Sequence, residues 1–158
     1  MTRSVSPSRS APSAVAANTV VSSRLVVETR GAGFIDVTRE VAKFLREAGA
    51  REGAVTLFIR HTSASLTIQE NADPAVLQDL STALDRLAPE NAGWVHDTEG
   101  PDDMPAHVKT MLTATSLQIP VLNGEMALGT WQGIYVAEHR IRPHRREIVL
   151  QFIGAAER

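Results

Sequence analysis

Apolar and polar residues alternate along Val55–Arg60, with Val55, Leu57 and Ile59 on one side and Thr56, Phe58 and Arg60 on the other. That period of two predicts a strand. The alternation resumes from Ser65 to Gln69, where Leu66 and Ile68 share a face. Upstream, Thr19-Val20-Val21 and Leu25-Val26-Val27 read as one strand region, Arg30–Gly33 as a turn, and Phe34-Ile35 as a short second strand. Between these lies a helix whose apolar positions Val41, Phe44, Leu45 and Ala48 follow helical spacing, with Asp36 and Thr38 as caps and Gly49 as its stop.

The clearest helical pattern begins at Pro74, with Asp73 as its cap. Val76, Leu77, Leu80, Ala83, Leu84 and Leu87 make one continuous apolar stripe, and Pro89 ends it. After a long loop, Glu90 to Pro101, a third helix starts near Asp102 or Asp103, with Pro105 in its first turn and Val108, Met111 and Leu112 as its expected buried side. Ser116–Val121 is a strand, and Asn123-Gly124 is the strongest hairpin signal in the chain. Two further strand regions follow, Met126–Leu128 and Gly129–Glu138, in which Gly129 and Gly133 suggest bulges or close backbone approach. Arg142-Pro143-His144 turns the chain into Glu147–Ile153, apolar enough to be a central strand. The order β-β-α-β-β-α-α-β-β-β is an α+β pattern without a sequence-level repeat.

Composition narrows the function more than it defines it. The 158 residues suffice for one domain, and a net charge of −2 gives no reason to expect a nucleic-acid partner. No apolar run reaches the roughly 18 residues of a membrane span, so a cytoplasmic protein without a membrane partner is expected. With no cysteine there is no disulfide, no thiolate metal site and no cysteine nucleophile. Any metal falls to the five histidines and the carboxylates. Residues 1–18 are rich in Ser, Ala and Pro, with two arginines and no acid. They read as a disordered tail, although a transit peptide shares the composition. Residues 19–158 are then a single domain.

Three polar clusters stand at element ends, where sites are built on rigid scaffolds. The first runs from Arg60 to Pro74, the second from His96 to His107, and the third from Glu138 to Arg146. His107 falls in the first turn of its helix, where the macrodipole disfavours imidazolium; neutral imidazole suits a metal ligand or a general base. Glu138 and His139 are adjacent on a strand and point to opposite faces, so unless a bulge intervenes one is expected in the site and the other toward a neighbouring strand or subunit. The arginines after His139 suit a phosphate. His61, His107 and His139 are expected to meet in one pocket with His96 as the fourth member; His144, at a turn tip, is excluded. No His-Glu-x-x-His, Walker or Gly-x-Ser-x-Gly pattern occurs.

Arg60-His61-Thr62-Ser63-Ala64-Ser65-Leu66-Thr67, Asn71-Ala72-Asp73-Pro74, His96-Asp97, Gly100–His107 and Leu128–Tyr135, closing in Glu138-His139-Arg140, resemble the YjbQ family over about Val20 to Gly154. The resemblance implies a small α+β fold with a β-sandwich core of about seven strands and two to three helices, assembled as a homotrimer. It also implies a secondary thiamine-phosphate synthase activity, joining a pyrimidine methyl diphosphate to a thiazole phosphate with release of diphosphate; the principal role is unsettled. The family's polar cluster falls on His61, Ser63, Ser65, Asn71, Asp97, Asp103, His107, Glu138 and His139. Phosphate of a small metabolite would be met by Ser63, Ser65, Arg140 and Arg145, and a divalent ion, Mg or Zn, by carboxylates or by the four histidines. A hydrolase built on histidine-bound zinc and a ligand-binding trimer without catalysis are the competing expectations.

The tail reading carries a direct test. Deleting residues 1–18 is expected to leave the melting temperature and oligomeric state unchanged, and a fall of several degrees in calorimetry would show that the segment docks.

Overall fold

Two antiparallel sheets pack face to face in a computed structural model that describes residues 6–157. The strands are β1 (Thr19–Glu28), β2 (Gly33–Asp36), β3 (Ala50–Ile59), β4 (Ala64–Glu70), β5 (Ser116–Leu122), β6 (Glu125–Met126), β7 (Gln132–Glu138) and β8 (Arg145–Ala156). The helices are α1 (Thr38–Glu47), α2 (Pro74–Leu87) and α3 (Asp103–Leu112). One sheet runs β1-β8-β3-β5-β6 and the other β2-β7-β4. The α+β class holds, with eight strands and three helices among the described residues. The first five residues of the expected tail lie outside the described residues; 6–17 are exposed and without regular structure, and Asn18 donates its N–H to Gly154 O at 3.0 Å.

Strand alternation decides which side chains fill the sandwich. Val55, Leu57 and Ile59 of β3 and Ile148, Leu150 and Phe152 of β8 face inward and are buried. Leu66 of β4 and Ile134 and Val136 of β7 meet them from the second sheet, and Val41, Phe44 and Leu45 of α1 close one side. β8 is central, as its apolarity predicts, pairing β1 on one edge and β3 on the other. Gly53 lies opposite Gly154 in that pairing, and a Cβ on Gly154 would stand 2.1 Å from Glu52 O, so the two backbones approach as only glycine allows.

Local signals place the element ends. Asp73 accepts from Ala75 N at 2.9 Å with Pro74 beginning α2. Asn123 and Gly124 both take positive φ, +52° and +83°, as a tight hairpin turn demands. Gly133 gives close approach without a bulge: β7 stays in register with β4 through Gly133 opposite Gln69, and the register break lies instead between Ala50 and Glu52. The expected inner side of α3 is wrong. Met111 and Leu112 are 88% and 55% exposed, while Asp103, Pro105, Ala106 and Thr110 are buried. Likewise α2 has no buried residue despite its stripe; Lys109 of α3 reaches across to Asp85 at 2.6 Å.

Polar groups inside the sandwich are stitched in two sets. Glu138, at the end of β7, accepts Arg146 Nε at 2.7 Å and Nη2 at 2.5 Å, and also Thr29 Oγ1 at 2.9 Å. On the other face of the chain, His139 Nε2 lies 2.8 Å from Ser65 Oγ, which in turn accepts from Thr113 Oγ1 at 2.6 Å. Burial, reinforced by the Lys109 charge, holds the His139 imidazole well below its ordinary range, at about 4. The unfolded chain therefore takes up a proton that the folded chain refuses between the ordinary value of 6.5 and about 4. Stability is expected to fall in that window on acidification, by up to about 1.4 kcal/mol per pH unit. His139→Gln should flatten the slope measured by urea unfolding between pH 6.5 and 4.5. An undiminished slope would show that another group titrates.

Candidate functional site

At the start of α3, Asp103 and His107 are one helical turn apart, so their side chains share a face. The loop before α3 brings His96 to the same point. His96 Nε2 stands 2.7 Å from Asp103 Oδ2, and His107 Nε2 stands 3.4 Å from it. One ligand atom from each of the three residues lies within 4.8 Å of the others. Among the described residues this is the one such group of three His or carboxylate side chains.

The carboxylate at the centre is held from behind. Arg140 Nη1 donates to Asp103 Oδ1, Arg140 Nε donates to Asp102 Oδ2 at 3.0 Å, and Arg140 Nη2 donates to Glu99 O at 2.8 Å. Asp102 Oδ2 also accepts Ile141 N at 2.9 Å. Oδ1 of Asp103 is thereby committed to the guanidinium, and Oδ2 is left to the two imidazoles. Burial raises the Asp103 pKa, but the His96 hydrogen bond and the Arg140 charge outweigh it and keep the group ionised well into acid. Arg140 is in turn positioned by Glu138, whose Oε1 accepts the Arg140 backbone N–H at 3.0 Å.

An open cleft of about 460 Å³ adjoins His107, bounded by α3 and the segment after β3, and lined by His61, Thr62, Thr110, Met111, Thr113 and Thr115. His61 is fixed in it by its ring: the Glu147 backbone N–H donates to Nε2 at 2.9 Å. Burial first, and the nearby Arg146 charge next, lower its pKa.

The residues expected from the sequence thus separate. His96, Asp103 and His107 converge, and His61 shares a cleft with His107. His139 does not join them; it faces Ser65 and borders a smaller cavity of about 230 Å³ with Lys109, Ser81 and Asp85. Ser65 is fully buried, and Ser63 is tied to Arg146, which donates to its Oγ at 3.0 Å. Asn71 Nδ2 donates to Thr130 O and Gln132 O at 3.3 and 3.4 Å, tying the end of β4 to the approach of β7. Asp97 is exposed beside Trp94 and His96. Arg145 is exposed and pairs with Glu28 at 3.3 Å, away from the cleft. His144 Nδ1 donates locally to Arg142 O at 2.8 Å, outside the His96 group.

Arg146, Thr29, Thr110 and Thr113 were not singled out by the sequence. A signal for Arg146 was present: it continues the inward series Ile148, Leu150, Phe152 by steps of two, and a charge at an inward position needs a buried partner. Thr29, Thr110 and Thr113 carry no such mark.

The description "UPF0047 protein YjbQ-like" matches residues 23–155. A UPF0047 protein of Synechocystis, sll1880, is 47% identical over 131 residues, 82% of this chain and 89% of that protein. YjbQ of Escherichia coli O157:H7 is 41% identical over 131 residues, 82% of this chain and 95% of that protein. A crystal structure of a YjbQ/UPF0047 protein from Clostridium acetobutylicum superposes with a TM-score of 0.77 at 38% identity, covering 82% of this chain and 98% of that one. One from Sulfolobus solfataricus P2 shares the fold at a TM-score of 0.80 with 22% identity, over 87% of this chain and 99% of that one. The chain belongs to the YjbQ/UPF0047 family.

Proposed function

We propose that this protein is a metal-assisted enzyme acting on a small phosphorylated metabolite, with diphosphate release of the thiamine-phosphate synthase type as its model reaction. The observation that carries the reading is the convergence of His96 Nε2, His107 Nε2 and an Asp103 oxygen beside an open cleft. Two imidazoles and one carboxylate fit the three-ligand pattern of catalytic zinc, with a further position for substrate, better than the oxygen-only preference of magnesium. The ion, when bound, would neutralise negative charge developing on a departing phosphate group. Arg140 fixes the Asp103 carboxylate and leaves one oxygen for the ion, the outer-shell support that such sites use. To hold the ion through Nε2, which now faces Asp103 Oδ2 at 2.7 Å, His96 would be the tautomer protonated at Nδ1. Met111 gives the cleft an apolar wall and the threonines give it a polar one.

His107→Ala is expected to lose zinc measured by mass spectrometry and to lose diphosphate release from pyrimidine methyl diphosphate plus thiazole phosphate, while staying folded. His144→Ala should keep both. Full metal content and turnover in His107→Ala would remove the basis of the proposal.

A homotrimer in the cytoplasm completes the reading. It is supported by the apolar stripe of α2, where Leu87 is 65% exposed, and by Met111 and Leu112 of α3, which together need a covering surface. Sedimentation equilibrium at micromolar concentration is expected to give three times the chain mass; a monomer mass would exclude this assembly.

A further inference from the structure

We infer that the cleft beside His107 is a phosphoryl-binding subsite in which His61 is a hydrogen-bond donor of fixed tautomer, not a metal ligand, and Thr110 is its second donor. The inference rests on the metal-assisted reading above and names the part of the substrate that the cleft would hold.

The tautomer follows from one contact. A backbone N–H can only donate, and Glu147 N lies 2.9 Å from His61 Nε2, so Nε2 offers its lone pair there. A neutral imidazole with Nε2 unprotonated carries its proton on Nδ1. Neither nitrogen is then free to bind a metal. What remains to His61 is to donate from Nδ1, and its ring lines the cleft that His107 also lines.

The second observation is independent. Thr110 Oγ1 is the single buried side-chain polar atom without a hydrogen-bond partner among the described residues. Thr110 is 9% exposed, and it belongs to the cleft wall. A buried hydroxyl left unpaired is costly and calls for a partner. Its oxygen is enclosed in the present rotamer, and helical threonine has a second χ1 well through which the hydroxyl can turn to a partner.

The chemistry of the lining selects the ligand. Nearby guanidinium groups are already paired: Arg140 with Asp102 and Asp103, Arg146 with Glu138, and Arg60 with Glu147. Neutral donors are left, namely an imidazole N–H and threonine hydroxyls. These suit an anionic oxygen whose charge is balanced at the neighbouring His96–Asp103–His107 group. A tetrahedral phosphoryl group presents oxygens in several directions and can accept from donors on both cleft walls at once, which a flat carboxylate does less well.

Inorganic phosphate is the probe, titrated by calorimetry into zinc-loaded full-length protein, with bound zinc measured in the same samples. Thr110→Val removes the hydroxyl at nearly constant shape, and His61→Ala removes the donor. Each is expected to weaken phosphate binding about tenfold, the effect of one hydrogen bond to a charged acceptor, with zinc content unchanged. Thr110→Ser and His61→Asn, which restore a donor, should recover most of the affinity. Nitrogen-15 NMR of the wild type should show His61 protonated at Nδ1 alone, with that signal moving on phosphate addition. Unaltered phosphate affinity in both Thr110→Val and His61→Ala overturns the inference. So does loss of zinc in folded His61→Ala, which would make the ring a ligand. Zinc-free protein whose phosphate binding still depends on His61 and Thr110 would sink the metal reading and leave the subsite standing.

Discussion

The buried pair of Glu138 and Arg146 is the constraint on which the arrangement of this molecule depends. Glu138 is 2% exposed and Arg146 4%. Two charges removed from water are tolerated only when their attraction and hydrogen bonds offset a desolvation cost of several kcal/mol for each ion. Both carboxylate oxygens are fully used, by two guanidinium nitrogens, the Thr29 hydroxyl and the Arg140 backbone N–H. Those partners come from four places: the end of β1, the start of β8, the end of β7 and, through Arg146 Nη2 on Ser63, the entry to β4. Burial acting alone would raise the Glu138 pKa, yet the Arg146 bonds and charge prevail and keep it ionised. The pair is therefore an anchor of position; removing one partner would strand the other charge inside the sandwich.

From that anchor the geometry passes outward to the candidate centre in short, directed steps. Glu138 holds the Arg140 main chain, Arg140 holds one oxygen of Asp103, and Asp103 presents the other to His96 and His107. The steps through Arg140, Asp103 and His96 are charge-assisted hydrogen bonds, whereas His107 stands at 3.4 Å from the same carboxylate oxygen. Glu138, which the family resemblance places in the polar cluster, acts in this arrangement through Arg140 and is not among the residues that line the cleft.

Much of this was legible in the sequence where the signal is local. The caps at Asp73, the turn at Asn123-Gly124 and the apolar core strands depend on neighbours a few residues away, and they appear where the pattern puts them. The face of α3 was misread because periodicity reports which residues favour burial and not what the chain offers to cover them. Asp103 and Thr110 took the inner side, and Met111 and Leu112 were left outside. The same holds for α2, whose stripe is as regular as any in the chain and has no buried member. The convergence of His96 with Asp103 and His107 was only half legible. The spacing of Asp103 and His107 is helical and readable, whereas His96 arrives through a loop whose path no periodicity encodes.

Adjacent positions in the Glu138-His139-Arg140 run show how one strand end can serve three environments. Side chains of successive strand residues leave on opposite faces, so Glu138 enters the Arg146 network while His139 turns to Ser65 and Thr113. At Arg140 the strand has ended, and the chain is free to swing its guanidinium toward Asp102 and Asp103. Neither residue stands in the His96–Asp103–His107 group, yet both border the cavity of about 230 Å³ beside Lys109, so the expectation that at most one of them enters a given pocket does not hold there. His139 is kept neutral by burial, at about 4, which lets a histidine sit in the interior beside a lysine without a counter-charge of its own. Polarity at this strand end is divided between holding the sheets together and orienting the centre. A cluster of polar residues in sequence is therefore not by itself one site: the pleat sorts it, residue by residue, into scaffold and chemistry.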